Sequence, residues 1–312
     1  MTSPGVPVSP ADISRAMDAI SPYVRSTPVI EVPGDEFGID ATLVIKLEFV
    51  QRSGAFKARG ATHYIATQPI ADTGIVAASG GNHGAAVAWA AQRLGHEATI
   101  FVPTTSAPAK VARLAQYGAT IRQVGEVYGD ALAASREFLA QHAATSIHAF
   151  DDPIVMAGAG TCAMELEGQA GHLDAVLLAC GGGGLSGGAA AWFGDRAEIV
   201  VCETDRTPTY AQALAAGEPV DVQIGGVAAD ALGAPRLGST PWTALSAVAA
   251  TSALVSDDEL VAAQHLVWDR LRLAVEPAAA APIAVLLSGR WQPSSAGRRV
   301  GIVLSGANRT IE

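Results

Sequence analysis

The stretch TGIVAASGGNHGAAVAWAAQRLGHEATIFVP (73–103) reads as a strand, a helix and a second strand. Its two ends, TGIVAAS and EATIFVP, are short and apolar, and GAAVAWAAQRLG between them has helical spacing. Short apolar strands separated by helices are typical of a parallel sheet that helices cover on both faces. This segment therefore predicts an α/β fold.

The alternation continues along the chain with PAKVARLAQYGA, TIRQV, GDALAASREFLAQHA and TSIHAF. A second series places the strands DAVLLAC, EIVVCET and VGIVLS around the helices VMAGAGTCAMELEGQ, TYAQALAAG and DDELVAAQHLVWDRL. We therefore predict two three-layer αβα domains with mostly parallel sheets. A small domain, 67–151, would be inserted in a large domain formed by 1–66 and 152–312. No Pro/Gly/Ser-rich linker separates them, so we expect a ligand-binding cleft between closely packed units.

The composition narrows the class of protein. A net charge of −10 without a run of Lys or Arg argues against a nucleic-acid partner. No apolar run reaches the roughly 18 residues that span a bilayer, so we expect no membrane association. The start MTSPGVPVSPADISRAMDA lacks a basic segment followed by an apolar block, which favours a cytoplasmic location. Cys162, Cys180 and Cys202 share no CxxC spacing, and we expect buried, reduced thiols.

Four glycines in LLACGGGGLSGGAAAWFG (177–194) follow an apolar strand and precede a helix. Glycines let successive N–H groups converge, and the helix start adds positive potential, so this loop predicts a phosphate site. A tight turn without a ligand and a dinucleotide-binding loop are the alternatives. The second is disfavoured because the loop comes late and no acidic residue closes a nearby β-α-β unit. A Walker-type loop is excluded, since no Lys-Ser or Lys-Thr follows the glycines.

A second turn of small residues, ASGGNHGAA (78–86), also joins a strand to a helix. Its backbone N–H groups and the side-chain amide of Asn82 are suited to a substrate carboxylate. The alternative is an ordinary helix N-terminus with Asn82 as its cap. For His83 we expect a structural role rather than that of a base.

Lys57 lies in VIKLEFVQRSGAFKARGA (44–61), which runs from a strand through a turn into a helix. With Ser53 as the N-cap, Lys57 falls in the first turn of that helix. The positive end of the helix and partial burial both disfavour an ammonium, so the pKa of Lys57 should fall. Schiff-base chemistry requires such a neutral amine. Alone, however, a lysine in an amphipathic helix is most often a solvated surface residue.

Lys57 belongs to the first of six motifs that follow one another along the chain: KLEFVQRSGAFKARGA, SGGNHG, AGAGTCAMEL, GGGGLSGG, VEPAAA and LSGAN. In this order they resemble the fold-type II, or tryptophan synthase β-like, family of pyridoxal-phosphate enzymes. The branch they resemble contains serine/threonine dehydratases and serine racemases, and the resemblance spans 13–308. It implies pyridoxal 5′-phosphate as the cofactor, a small amino acid as the substrate and a homodimer.

The resemblance also implies a role for each site residue. Lys57 would form the Schiff base, Phe56 would pack beside the cofactor ring and Asn82 would bond its phenolic oxygen. Ser305 would face the pyridine nitrogen. The phosphate would be held by Gly181, Gly182, Gly183 and Gly184. The substrate carboxylate would rest on Ser79, Gly80, Gly81, Asn82 and His83.

The implied reaction is that of a dehydratase, or ammonia-lyase. It would convert L-serine, L-threonine or a related β-hydroxy amino acid to a 2-oxo acid and ammonia by α,β-elimination, with Lys57 as the α-proton base. A neutral hydroxyl at Ser305 draws less charge into the ring than a carboxylate, which suits loss of a β-leaving group. A serine racemase or a hydroxyaspartate dehydratase is the alternative. A non-catalytic pyridoxal-phosphate protein is less expected, because all the implied residues are present.

Three departures from the family pattern qualify the resemblance. Gly80 stands where racemases of this branch carry a serine that protonates the opposite face, which favours elimination. Glu203 matches one ligand of a Mg²⁺ or Ca²⁺ site found in many relatives, but Thr209 stands where an aspartate is expected, and Asp205 is the alternative ligand. A salt bridge or a capping group is the competing reading of Glu203. Ala159 replaces a common glutamine, so substrate preference can shift.

Overall fold

The strands of the protein form two separate sheets in a computed structural model that describes residues 7–308. The strands are β1 (Val29–Pro33), β2 (Ala41–Lys46), β3 (Ile75–Ala78), β4 (Ala98–Val102), β5 (Thr120–Gln123), β6 (Thr145–Ser146), β7 (Ala175–Ala179), β8 (Glu198–Thr204), β9 (Thr251–Val255) and β10 (Arg298–Val303). The larger sheet has the order β1-β2-β10-β7-β8-β9, and the smaller has the order β5-β4-β3-β6. All neighbours are parallel except the antiparallel pair β1 and β2. The predicted α/β class with mostly parallel sheets is confirmed.

Helices connect the strands throughout the described residues. They are α1 (Pro10–Ile20), α2 (Lys57–Thr67), α3 (Asn82–Leu94), α4 (Pro108–Gln116), α5 (Tyr128–Gln141), α6 (Pro153–Ala170), α7 (Gly184–Phe193), α8 (Thr209–Ala216), α9 (Ala229–Leu232), α10 (Ser239–Ala247), α11 (Asp257–Leu271) and α12 (Ala281–Leu287). Short 3-10 helices occupy Gly34–Phe37, Glu48–Val50, Arg52–Gly54 and Pro277–Ala280. The smaller sheet comes wholly from 75–146, inside the segment predicted as the small domain. The predicted domain boundaries themselves stay a prediction.

The core of the larger sheet surrounds β7, which is buried along its whole length. Such a strand reads as a continuous apolar run, as in DAVLLAC, because helices cover both faces of a parallel sheet. On one of these faces α6 and α7 cross at glycines. A Cβ on Gly188 would lie 2.7 Å from the backbone nitrogen of Gly160, so no side chain fits between the two helix backbones at this crossing. This close crossing positions the N-terminus of α7 at the end of β7.

Several sequence expectations need correction or completion. TSIHAF forms a strand only at β6, and 147–150 continue as irregular backbone in which Ile147 is buried and His148 is exposed. The expected Ser53 cap is wrong. Ser53 lies in the 3-10 helix with φ of 55°, and α2 begins after Phe56. The reason is a tie to the other end of the chain: Ala55 pairs with Gly306, which holds the backbone extended immediately before α2.

The remaining expectations concern thiols and membranes. Cys162, Cys180 and Cys202 are all buried and free, as expected. Among residues 7–308, no helix combines the length and the apolar character needed to cross a bilayer.

Candidate active site

A cavity of about 430 Å³ opens where the C-terminal ends of β7 and β10 meet the N-termini of α2, α3 and α7. The C-terminal edge of a parallel sheet is where α/β proteins commonly bind ligands. The lining residues are Phe56, Lys57, Asn82, Ala179, Gly181, Gly182, Gly183, Gly184, Leu185, Ala231, Leu232, Glu276, Ala278 and Ser305. Every residue that the resemblance assigns to the cofactor is therefore at this one cavity.

The glycine loop forms one wall of the cavity. Within residues 7–308, the N–H groups of Gly182 and Gly183 donate to no protein acceptor. They lie beside the N-terminus of α7, where the helix dipole adds positive potential. A Cβ on Gly182 would lie 2.3 Å from the ring of Phe150, so no larger residue fits there. Free amides at a helix start form a binding site for an anion.

Lys57 is the first residue of α2 and is partly buried. Its Nζ donates to the carbonyl of Ala149 at 2.7 Å and lies 5.0 Å and 5.8 Å from the ring centroids of Phe56 and Phe150. No carboxylate in the described part of the chain is within ion-pair distance of it. Burial therefore lowers the pKa of Lys57 to about 8. This environment favours a reactive neutral amine.

The chain has three lysines, and their surroundings differ. Lys46 is fully buried and donates to Thr27, Glu165 and Gln169. Lys110 lies at the surface and pairs with Asp230. Lys57 is the only lysine that lines the cavity. The lysine count was visible in the sequence and would have strengthened the case for Lys57.

Asn82 and Glu276 meet at the opposite wall. Asn82 is the first residue of α3 rather than its cap, and its Nδ2 donates to Oε1 of Glu276 at 2.8 Å. Its Oδ1 is buried and has no hydrogen-bond partner among residues 7–308. The other oxygen of Glu276 accepts the N–H of Asn308 at 3.1 Å, and burial raises the pKa of Glu276. Glu276 belongs to the motif VEPAAA, from which no role for its carboxylate is predicted. A lone carboxylate in an Ala- and Pro-rich run was the available signal.

Ser305 is tied to the start of α2. It is buried at the wall of the cavity, and its carbonyl accepts the N–H of Phe56 at 3.0 Å. This bond, together with the pairing of Ala55 and Gly306, brings the C-terminal motif LSGAN beside Lys57.

Only part of the turn ASGGNHGAA (78–86) lines the cavities. Asn82 lines the main cavity, and His83 lines an adjoining cavity of about 250 Å³ that shares Phe56, Lys57 and Gly184 with it. Ser79, Gly80 and Gly81 are half-buried and line neither. Within the described residues, the first-turn N–H groups of Asn82 and His83 have no acceptor, as expected for a helix start.

His83 is held as a neutral ring. Its Nε2 lies 3.0 Å from the carbonyl of Ile147, which makes that nitrogen the donor. Burial, with a smaller effect from the charge on Lys57, lowers the pKa of His83 to about 3. A ring with this pKa is a weak base at neutral pH, and the expected structural role agrees with its geometry.

Comparison with known proteins decides the family. The model of the family described as "Pyridoxal-phosphate dependent enzyme" matches residues 20–306. The chain belongs to this family. It is 33% identical to an L-threonine ammonia-lyase of Geobacter sulfurreducens over 305 residues, which is 96% of this chain and 75% of that protein. It is 34% identical to an L-threo-3-hydroxyaspartate ammonia-lyase of Saccharomyces cerevisiae, covering 95% of this chain and 92% of that one.

Solved structures agree with this family membership. The fold superposes on maize serine racemase with a TM-score of 0.91 at 30% identity, covering 97% of this chain and 94% of that one. As a member of the pyridoxal-phosphate family the chain is an enzyme, and its residues fit the cofactor. Counting partners in the described part of the chain, the cavity offers an amine without a carboxylate, free amides at a helix start and an unpartnered amide oxygen at Asn82. Pyridoxal phosphate needs such groups, because it carries an aldehyde, a phosphate and polar atoms on its ring.

The predicted Mg²⁺ or Ca²⁺ site at Glu203 has no support in the structure of this pyridoxal-phosphate enzyme. Both oxygens of the buried Glu203 carboxylate are bonded within the protein, to Thr209 Oγ1 (2.9 Å), the Tyr210 N–H (2.8 Å) and the Ala211 N–H (2.9 Å). Glu203 therefore binds the N-terminus of α8, as the capping alternative held. Across residues 7–308, no group of three or more His, Cys, Asp or Glu side chains is arranged to hold a metal.

Proposed function

We propose that the chain is a pyridoxal-phosphate-dependent ammonia-lyase that acts on L-serine, L-threonine or a related β-hydroxy amino acid. The observation that carries the proposal is the position of Lys57 as the only lysine at the cavity, with a lowered pKa and no carboxylate partner. The L-threonine and hydroxyaspartate ammonia-lyases among the relatives support the reaction class.

The cofactor would be held by the residues that line the main cavity. Lys57 would bind its aldehyde carbon, and the glycine loop would bind its phosphate through the free N–H groups of Gly182 and Gly183. Phe56 would pack beside the ring, Asn82 would bond the ring oxygen and Ser305 would face the ring nitrogen. Pyridoxal phosphate, when bound, withdraws electrons from the α-carbon of an attached amino acid.

The protein's own contribution would be to orient the amino acid and move one proton. The substrate carboxylate would bind the turn Ser79, Gly80, Gly81, Asn82 and His83, whose N–H groups at the start of α3 favour an anion. Lys57 Nζ would take the α-proton, and the β-hydroxyl would leave as water after gaining a proton. Because the pKa of Lys57 is about 8, a useful fraction of its amine is unprotonated near neutral pH.

Elimination is favoured over racemisation by the lack of a side chain at Gly80, the position that the family resemblance places opposite Lys57. Racemisation needs a second acid on the opposite face, and Gly80 has no side chain. The hydroxyl of Ser79 accepts the N–H of Gly81 at 3.3 Å, and His83 is a weak base. Racemisation stays the second candidate because the fold matches maize serine racemase so closely.

The test is a substrate panel with purified enzyme and added pyridoxal phosphate. L- and D-serine, L- and D-threonine and the 3-hydroxyaspartate isomers are each assayed for ammonia, 2-oxo acid and the opposite enantiomer. We expect ammonia and oxo acid in equal amounts from at least one L-β-hydroxy amino acid, and none with Lys57→Ala. Faster formation of D-serine than of pyruvate from L-serine would contradict the proposal and favour the racemase.

A homodimer, which rests on the family resemblance, and a cytoplasmic location both stay predictions. Sedimentation of the holoenzyme tests the first, and fractionation of the producing cell tests the second.

A further inference from the structure

The backbone carbonyl of Gly181 accepts a hydrogen bond from the side chain of Thr209 at the start of α8. Thr209 is fully buried and does not line the cavity, so it contacts the glycine loop from behind. The cavity lies on the other side of the loop. The hydroxyl therefore acts on the loop and not on a ligand.

Because of the geometry of the peptide bond, the hydrogen bond from Thr209 to the Gly181 carbonyl also orients the N–H of Gly182. The carbonyl of Gly181 and the N–H of Gly182 belong to one planar trans peptide, and they point in opposite directions. Holding the carbonyl toward α8 therefore directs the N–H of Gly182 away from α8. That N–H is one of the loop donors without a protein acceptor in residues 7–308, together with those of Gly181, Gly183 and Gly184.

The next two carbonyls of the loop are held in other ways. The carbonyl of Gly182 accepts the backbone N–H of Gly238 at 3.1 Å. The carbonyl of Gly183 accepts the backbone N–H of Gly187 at 2.7 Å and also the hydroxyl of Ser186 at 3.2 Å. Of these three carbonyls, only that of Gly181 has no backbone donor among the described residues. Besides the Thr209 hydroxyl it accepts only the Cys180 thiol, a weak donor whose Sγ is 3.6 Å away.

Glu203 fixes the position of Thr209. Its carboxyl accepts the N–H groups of Tyr210 and Ala211, and its Oε1 lies 2.9 Å from the Thr209 oxygen. A threonine hydroxyl carries one proton, and here it faces two acceptors, the Gly181 carbonyl and Glu203. Both contacts are satisfied together when a proton on Glu203 faces Thr209 and the hydroxyl proton faces Gly181. The raised pKa of Glu203, about 7 through burial, agrees with this arrangement.

We propose that Thr209, held by Glu203, is a positioning residue that aims the Gly182 N–H at the phosphate of the bound cofactor. The inference rests on the part of the proposed function that places the phosphate at the glycine loop. It does not depend on which amino acid is the substrate or on whether the enzyme eliminates.

The test compares two ligands that differ only by the phosphate, pyridoxal phosphate and pyridoxal. Their dissociation constants for the apoenzyme are measured by absorbance titration in wild type, Thr209→Val and Thr209→Ser. Losing one hydrogen bond to the loop should weaken pyridoxal phosphate binding about fivefold to tenfold in Thr209→Val. Pyridoxal binding should be unchanged, and Thr209→Ser should restore the wild-type ratio of the two constants.

Ser186→Ala is the matched control, because the Gly183 carbonyl keeps its backbone donor when that hydroxyl is removed. Melting of each apoprotein reports folding, and Thr209→Ala replaces Thr209→Val if the latter does not fold. The proposal is overturned if the dissociation constant of pyridoxal divided by that of pyridoxal phosphate is the same in Thr209→Val as in wild type. It is also overturned if Ser186→Ala lowers this ratio as much as Thr209→Val does. Because no turnover is measured, an enzyme that binds the cofactor but fails to eliminate would refute the proposed function alone.

Discussion

Lys57 and Arg59 are two cations placed two positions apart on α2, and their surroundings are opposite. Arg59 is fully buried and bonds Glu48 at 2.6 and 3.0 Å and Glu165 at 3.1 Å. These carboxylates raise the pKa of Arg59. The Lys57 amine donates to a carbonyl and lies beside two aromatic rings, and burial lowers its pKa to about 8.

The helix geometry explains how one segment supplies both environments. Neighbours at i and i+2 lie on different faces of an α-helix, so the two side chains leave α2 in different directions. Arg59 points into a network between α2, α6 and the end of β2, where Lys46 also bonds Glu165. Lys57 points into the cavity. Whether a carboxylate lies within reach decides which cation is structural and which is reactive.

The two regions also differ in how completely their polar groups are paired. In the Arg59 network each charged group has a partner of opposite charge. At the cavity, Asn82 Oδ1 and the Gly182 N–H have none within residues 7–308. Buried polar groups are normally paired, so unpaired groups gathered around one cavity mark the place where a ligand binds.

The largest effect that separates the two regions is expected from Lys57→Ala. Losing the amine should lower kcat/KM by at least about 10³-fold, because the α-proton base and the cofactor attachment are both removed. At neutral pH the variant should be at least as stable as wild type, because the buried amine that it removes has no charged partner among the described residues. Steady-state kinetics and thermal melting check both points. A Lys57→Ala variant that kept its activity would show that Lys57 is not the reactive lysine.

Arg59→Met should produce the reverse pattern. Removing Arg59 leaves the buried Glu48 without its cation, and we expect a loss of about 3–5 kcal/mol in the free energy of unfolding. Urea unfolding of the apoprotein measures it. The double variant Arg59→Met with Glu48→Met should be more stable than the single one. Equal losses in the two variants would show that the unpaired charge is not the cause.

Gly182→Ala tests whether the cavity wall is as tightly packed as the network. The new methyl would meet the ring of Phe150 at 2.3 Å, and overpacking should cost about 1–3 kcal/mol in cofactor binding or stability. Gly168→Ala in α6 is the matched control, because nothing lies within 4 Å of its Cβ position. The control should be neutral or slightly stabilising. Similar losses in both variants would contradict the packing argument.

A further expected difference is a pH dependence of the free energy of unfolding, which Lys57 confers and Arg59 does not. The pKa of Lys57 falls from its usual 10.5 to about 8 in the folded apoprotein, so the unfolded chain binds more protons between these values. Apoprotein stability should therefore rise as pH increases from about 8 to 10.5. Denaturation across this range is compared between wild type and Lys57→Met, which should lack the rise. The same rise in Lys57→Met would assign it to another group.

The α/β class could be predicted from strand-helix alternation, which is a local signal. The cavity residues could be predicted because six ordered motifs resemble those of a known family. The sequence did not reveal the Asn82–Glu276 contact, whose partners are 194 positions apart. The Arg59 network was also missed, since it forms only when α2 packs on α6. Glu203 was assigned to a metal because a carboxylate after a strand does not show that the next helix will occupy both of its oxygens.

The central claim is that Lys57 alone carries the cofactor. Borohydride reduction of the holoenzyme converts the imine into a stable bond, and peptide mass spectrometry then locates the added group among the chain's three lysines. We expect the reduced cofactor to be found on Lys57 and not on Lys46 or Lys110. A label on Lys46 or Lys110, or a protein that takes up no label after incubation with pyridoxal phosphate, would contradict it.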